Sequence, residues 1–205
     1  MSVRMSLVAA FAATVVGCAD DAADSTALDD GTYVIRTTDR SVWAAVEVRG
    51  DSAIAFVCGR DETLTTATRW MTGSVDGTSF SLREGDWTLN LEAASDSLSG
   101  RLEGPAFDDA IAGGGIDRGS PPETPAGLFT NIVDGCRAGL IVDSSGQARG
   151  AYCDEFGFLS QVTPVRPLTQ NTWQVEALGA DGDTVSFEVE GVELTEIQAE
   201  ISATR

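Results

Sequence analysis

Four cysteines, 32 carboxylates and 13 arginines are the side chains with which this 205-residue chain can do chemistry. It has no histidine, and every basic residue is arginine, so lysine is missing too. These absences narrow the chemistry sharply. Without His there is no Ser-His-Asp or Cys-His nucleophile, no imidazole general base and no His-ligated metal. Without Lys there is no Schiff base, no Ser-Lys dyad and no phosphate-binding P-loop lysine. Carboxylates, arginines, cysteines, Tyr33 and Tyr152 remain. A net charge of −19 and a pI near 4.1 argue against nucleic acid as a partner, because binding there rests on neutralising phosphates.

The cysteines divide by position. Residues 1–18 read MSVRMSLVAAFAATVVGC. Arg4 supplies a positive start, and Leu7 to Val16 form a ten-residue run, apolar apart from Thr14. That run is too short to span about 30 Å of hydrocarbon as a helix. Its end, Val15-Val16-Gly17-Cys18, resembles the lipobox of bacterial lipoproteins: aliphatic and small residues, then cysteine. The resemblance implies that residues 1–17 are a signal peptide and that Cys18 becomes the first mature residue and carries acyl chains. It further implies a membrane partner through the lipid anchor, in a bacterial cell envelope. In the sorting rule of enteric bacteria, the absence of Asp after the lipidated cysteine points to the outer membrane; residue 19 here is Ala. Processing leaves 12 Arg against 32 acidic residues, a net charge of −20. Residues 18–31 are acidic and small, and read as a solvated tether.

Export makes a disulfide permissible. Cys58, Cys136 and Cys153 are left, an odd number, so one intramolecular bond at most. Residues 136–153 read CRAGLIVDSSGQARGAYC. With Asp143-Ser144-Ser145-Gly146 as the turn, Cys136 lies directly opposite Cys153, and cross-strand neighbours bring Cβ atoms within disulfide reach. Cys58 shares a face with Ile54 and Phe56 and reads as a buried, inert thiol.

No metal or cofactor is expected. Asp29-Asp30-Gly31 and Asp181-Gly182-Asp183 carry oxygens suited to calcium but lack a twelve-residue EF-hand loop, and Asp-Gly is ordinary hairpin-turn chemistry. Glu188, Glu190, Glu193, Glu196 and Glu200 give the last segment an acidic face. Trp43, Trp70, Trp87 and Trp173 are expected in the core or lining a barrel, with an aromatic ligand platform as the alternative.

The elements that position these residues are strands. Phe80 and Leu82 alternate with serines and Arg83; Trp87, Leu89 and Leu91 alternate with Thr88 and Asn90; Leu98 and Leu102 follow. Turns at Glu84-Gly85 and Ala94-Ser95 set Leu82 opposite Trp87 and Leu91 opposite Leu98, with every apolar residue on one face. Val42, Ala44, Val46 and Val48 lead to Arg49-Gly50-Asp51, and Ile54, Phe56 and Cys58 return. Trp173, Val175 and Ala177 lead to Asp181-Gly182-Asp183, and Val185, Phe187 and Val189 return. With Tyr33–Thr37, Ala67–Gly73 and Asp108–Ala112, the first half has about eight strands. No 3.6-residue period persists beyond the signal. The expected fold is therefore all-β, an antiparallel meander forming a barrel or sandwich.

Residues 113–126, with a glycine triplet and a run of prolines, read as a connection between a first β module, 32–112, and a second, 127–205. Val46 to Cys58 (VEVRGDSAIAFVC) resembles Ile141 to Cys153 (IVDSSGQARGAYC), consistent with two similar halves or with hairpin regularity alone. AIAFVC and GSVDGTSFSL resemble an uncharacterised β-rich module of exported proteins from high-GC bacteria, over about 70 residues; that module transfers no activity and no site. The expectation is a non-catalytic envelope lipoprotein with a binding or structural role. The alternatives are an envelope glycan hydrolase using a carboxylate pair and a small-lipid carrier with an apolar barrel cavity.

Overall fold

A computed structural model describes residues 28–116, 125–133 and 135–193. The expected signal peptide, Cys18 and most of the expected tether, together with Glu196 and Glu200, lie outside the described residues. Two closed antiparallel barrels follow one another along the chain.

The first barrel is an eight-stranded meander: β1 (Gly31–Thr37), β2 (Val42–Arg49), β3 (Ser52–Gly59), β4 (Arg69–Ser74), β5 (Ser79–Glu84), β6 (Trp87–Ala94), β7 (Ser97–Gly104) and β8 (Phe107–Gly115). It closes by pairing β1 with β8. A single 3-10 turn and a four-residue helix, α1 (Leu64–Ala67), bridge β3 and β4. The second barrel has six strands: β9 (Gly127–Val133), β10 (Cys136–Val142), β11 (Ala148–Cys153), β12 (Leu159–Thr169), β13 (Thr172–Leu178) and β14 (Thr184–Gly191). It closes by pairing β14 with β9. The all-β expectation therefore holds, and the two halves each form a barrel.

Alternation decides what faces inward. Phe80, Leu82, Trp87, Leu89, Leu91, Leu98 and Leu102 all join one buried cluster inside the first barrel, with Tyr33, Ile35, Val46, Val57, Met71 and Ile111. Phe129, Leu140, Val142, Tyr152, Trp173, Val175 and Val189 fill the second. Both lumens are packed, as narrow barrels require.

Register differs from the sequence expectation by an even step. Glu84 pairs with Trp87, so Leu82 faces Leu89 rather than Trp87. Ala94 pairs with Ser97, so Leu91 faces Gly100 and Ala93 faces Leu98. The turns are Gly85-Asp86 and Ser95-Asp96, one residue later than expected, because Gly85 and Ser95 take the positive φ that the first turn position needs (53° and 54°). A two-residue slip leaves every side chain on its own face, so the core was assigned correctly with the partners wrong.

Two boundaries are also corrected. The glycine triplet at 113–115 is strand, not connection: Gly113 pairs with Ile35 in the closing ladder. A Cβ at Gly113 would run into the Val34 carbonyl, so glycine here marks a close backbone approach. The fold begins before residue 31. Leu28 is buried in the first core, the Tyr33 hydroxyl donates to the Asp29 carbonyl at 2.8 Å, and the Asp30 carboxylate accepts the Gly50 N–H at 2.7 Å. Asp108 and Asp109 pair with Glu103 and Leu102 of β7, while the ladder from β8 to β1 takes in Ile111 to Gly115.

Ile54, Phe56 and Cys58 do not face the lumen of their own barrel. Ala53, Ala55 and Val57 do. The outer faces of β1–β3 pack with Leu128, Ile141 and Ala151 of the second barrel, forming a third buried cluster. Strands β2 and β3 are therefore buried on both sides, which is why their small and apolar residues run almost without a break.

Candidate functional site

The surface between the barrels is built from cross-strand pairs. On the first barrel, Arg36 pairs with Trp43 and Phe56 with Trp70. On the second, Ile141 pairs with Arg149, and Arg137 and Gly139 lie on the same strand face. The Phe56 and Trp70 rings lie 4.8 Å apart, and the Arg137 guanidinium stacks 4.1 Å from the Trp70 ring centre. The Trp70 indole N–H donates to the Arg137 carbonyl at 3.3 Å.

Trp43 is the centre of the other half. The guanidinium carbon of Arg36 lies 4.0 Å from its ring centre and that of Arg149 lies 4.7 Å away. Arg36 also pairs with the buried Asp143 carboxylate across the junction. Asp143 is held by its own loop: its other oxygen accepts the N–H groups of Ser145 and Gln147 at 2.8 and 2.9 Å and the Ser145 hydroxyl at 2.7 Å. Arg149 donates to the carbonyls of Arg40 and Ser41 at 3.0 and 3.1 Å. Burial pulls the Arg149 pKa down, and the nearby Arg60 and Arg36 charges add to that. Arginine suits such a place: its planar, weakly hydrated guanidinium stacks on indole where an ammonium would not.

The cysteines fall as the spacing suggests, with one difference. Cys136 and Cys153 form a disulfide, Cα to Cα 5.7 Å, tying the start of β10 to the end of β11. The ladder, however, pairs Gly139 with Ala151 and Leu140 with Gly150, one residue away from the register that sets the two cysteines directly opposite. The loop has five residues rather than four, closed by Asp143 N–H to the Gln147 carbonyl, with Gly146 at φ 79°. Pairing stops at Gly139 and Ala151, and beyond it the strand ends approach closely enough for the bond. Cys58 is fully buried at the junction, and burial pushes its thiol up to about 12.

The remaining candidates have structural partners. Asp181-Gly182-Asp183 is the β13–β14 turn, with Gly182 at φ 87° and the Asp183 N–H donating to the Asp181 carboxylate. No cluster of three metal-binding side chains occurs among the described residues. Trp87 and Trp173 lie inside the barrels, whereas Trp43 and Trp70 lie between them. Glu188, Glu190 and Glu193 line an open groove of about 460 Å³ with Asn131 and Ile132, where the short β14–β9 seam ends. Asp39 is displaced downward, to about 2, by hydrogen bonds from the Ser41 N–H and from the Thr37 and Ser41 hydroxyls. That is the opposite of what a proton-donating carboxyl needs.

Sequence reasoning missed the junction arginines. Arg36, Arg40, Arg60 and Arg149 are dispersed in the chain, and only the docking of the barrels brings them together. The one available signal was the choice of Arg at every basic position. Among known proteins, no family model and no curated sequence matches the chain.

Proposed function

We propose that this chain is an exported lipoprotein, held by acyl chains on Cys18 at the bacterial cell envelope, where its barrels serve a non-catalytic binding or structural role. The observation that carries the reading is the Cys136–Cys153 disulfide, a bond that persists in oxidising compartments and is rare in the cytosol. The lipobox-like sequence ending at Cys18 supplies the route of export, and Ala19 in place of Asp favours the outer membrane. Nine residues separate Cys18 from Leu28, ten Cα-to-Cα steps, so the first barrel would stand at most about 35 Å from its anchor. The apolar side chains filling both lumens favour a working surface on the outside of the barrels over a lipid-carrying cavity. The absence of His and Lys, with the downward displacement of Asp39, favours binding over hydrolysis.

Intact-mass measurement of membrane-extracted chain tests this. Loss of residues 1–17 and a gain of acyl mass on Cys18 are expected, and Cys18→Ala should leave the chain unacylated and extractable without detergent. An unprocessed, unacylated chain recovered from the cytosol overturns the proposal.

A further inference from the structure

Thirteen arginines share this chain with 32 carboxylates, so a counter-ion for any buried guanidinium is easily come by. Other partly buried arginines have one: Arg49 pairs with Glu47, and Arg69 with Glu84. Arg149 is the exception. Half-buried at the junction, it meets no carboxylate within salt-bridge distance among the described residues, and its guanidinium donates to two backbone carbonyls. It faces positive charge from Arg60 and Arg36, opposed at longer range by the Asp61 carboxylate, while Arg40, whose carbonyl it touches, adds a fourth guanidinium-bearing residue. Arg60 has only a loose exposed contact, 3.5 Å, to Asp61.

Two further donors at the same place are unsatisfied. Trp43 is 4% exposed, and its indole N–H has no hydrogen-bond partner. Arg36 Nε is also buried without one, although the rest of that guanidinium reaches Asp143. Both belong to the stack in which Arg36 and Arg149 lie against one ring. A buried donor without an acceptor is costly, and like charges brought together add to that cost. Asp143 and Asp61 answer Arg36 and Arg60, but both unsatisfied groups are donors, and the cation stacked beside them, Arg149, has no carboxylate paired with it among the described residues.

We propose that the Trp43–Arg149 junction is a binding site for a phosphate-class oxyanion, free or as the terminal group of a larger ligand. Such a group carries only acceptors, bears more than one negative charge and accepts the forked donors of arginine. Arg149 and Arg60 would supply the exposed contacts, and the N–H groups of Trp43 and Arg36 Nε the inner ones. Because residues from both barrels contribute, the occupied site would also hold the barrels together. The site is independent of the lipid anchor.

The test is equilibrium dialysis of the purified full chain, in detergent, against radiolabelled inorganic phosphate, with chloride holding ionic strength constant. One saturable equivalent is expected. Arg149→Gln should weaken binding at least tenfold. Trp43→Phe, which keeps the ring and removes the N–H, should weaken it several-fold. Arg60→Gln, an exposed change that does not threaten folding, should also weaken it several-fold, whereas Arg166→Gln, at an exposed position toward the other end of β12, should leave it unchanged. Inorganic pyrophosphate should compete, and vesicles bearing phosphomonoester lipid headgroups should do so if the source is a membrane. Absence of saturable binding overturns the proposal, as does binding indifferent to both Arg149→Gln and Arg60→Gln.

Discussion

Gly139→Ala is the sharpest probe of how the barrels dock. A Cβ at position 139 would lie 2.6–2.7 Å from three atoms of the Phe56 ring. Real contacts at that distance do not occur, so something must move. Phe56 is 1% exposed and stacked 4.8 Å from Trp70, and Arg137 caps Trp70 on the other side of the junction. The ring has nowhere to swing, so the strain falls on the docking surface. Overpacking of this kind costs about 1–3 kcal/mol, which for a chain of this size lowers Tm by about 4–8 °C at the middle of that range. The compensating change is Phe56→Leu, expected to cost about 1 kcal/mol alone. In that background the added methyl group gains room. Urea unfolding of the four proteins in a double-mutant cycle should give a favourable coupling of about 1–2 kcal/mol. If Gly139→Ala costs nothing, or costs the same in both backgrounds, the interlock between β3 and β10 is not what holds the barrels together.

Other outcomes follow from single features. Replacing both Cys136 and Cys153 by Ser opens an 18-residue segment and should reduce unfolding free energy by about 3 kcal/mol in the chain-entropy model, matched by wild-type protein under reductant. Cys58, buried and pushed up to about 12, should resist a thiol reagent at pH 8 in native protein and react promptly in urea. The Asp39 carboxylate should titrate with a midpoint near pH 2 by NMR. Because its folded pKa lies below the unfolded value, its contribution is complete above about pH 4 and is lost as pH falls toward 2; Asp39→Asn should remove that dependence. Glu47→Ala leaves the partly buried Arg49 and the buried Thr32 hydroxyl without their shared carboxylate and should destabilise by about 1–3 kcal/mol.

The lumens were legible from the sequence because alternation reports which residues share a face. Phe80, Leu89 and Leu102 needed no partner to be assigned inward. Partner identity was less legible, since it depends on which residue tolerates a positive φ, and Gly85 and Ser95 each shifted a turn by one position. β12 was not recognised, because Pro164 and Pro167 sit inside it and the ladder shifts register around both. The docking surface was illegible for a different reason. On β3 both faces are apolar, so nothing local says that Ala55 looks into a barrel and Phe56 looks out. The arginine cluster depends on that same docking, so no window along the chain could contain it.

Both sheets join their first strand to their last, β1 to β8 and β9 to β14. A chain emerging amino end first can therefore finish one barrel as soon as Gly115 is free, while the next must wait for Thr184–Gly191. Until then β9 and β13 each present an unpaired backbone edge, the kind that recruits neighbouring chains. Stop codons a few residues apart near the carboxyl end should thus divide sharply between a soluble product and an aggregating one, with the boundary at the strand that seals the second ring.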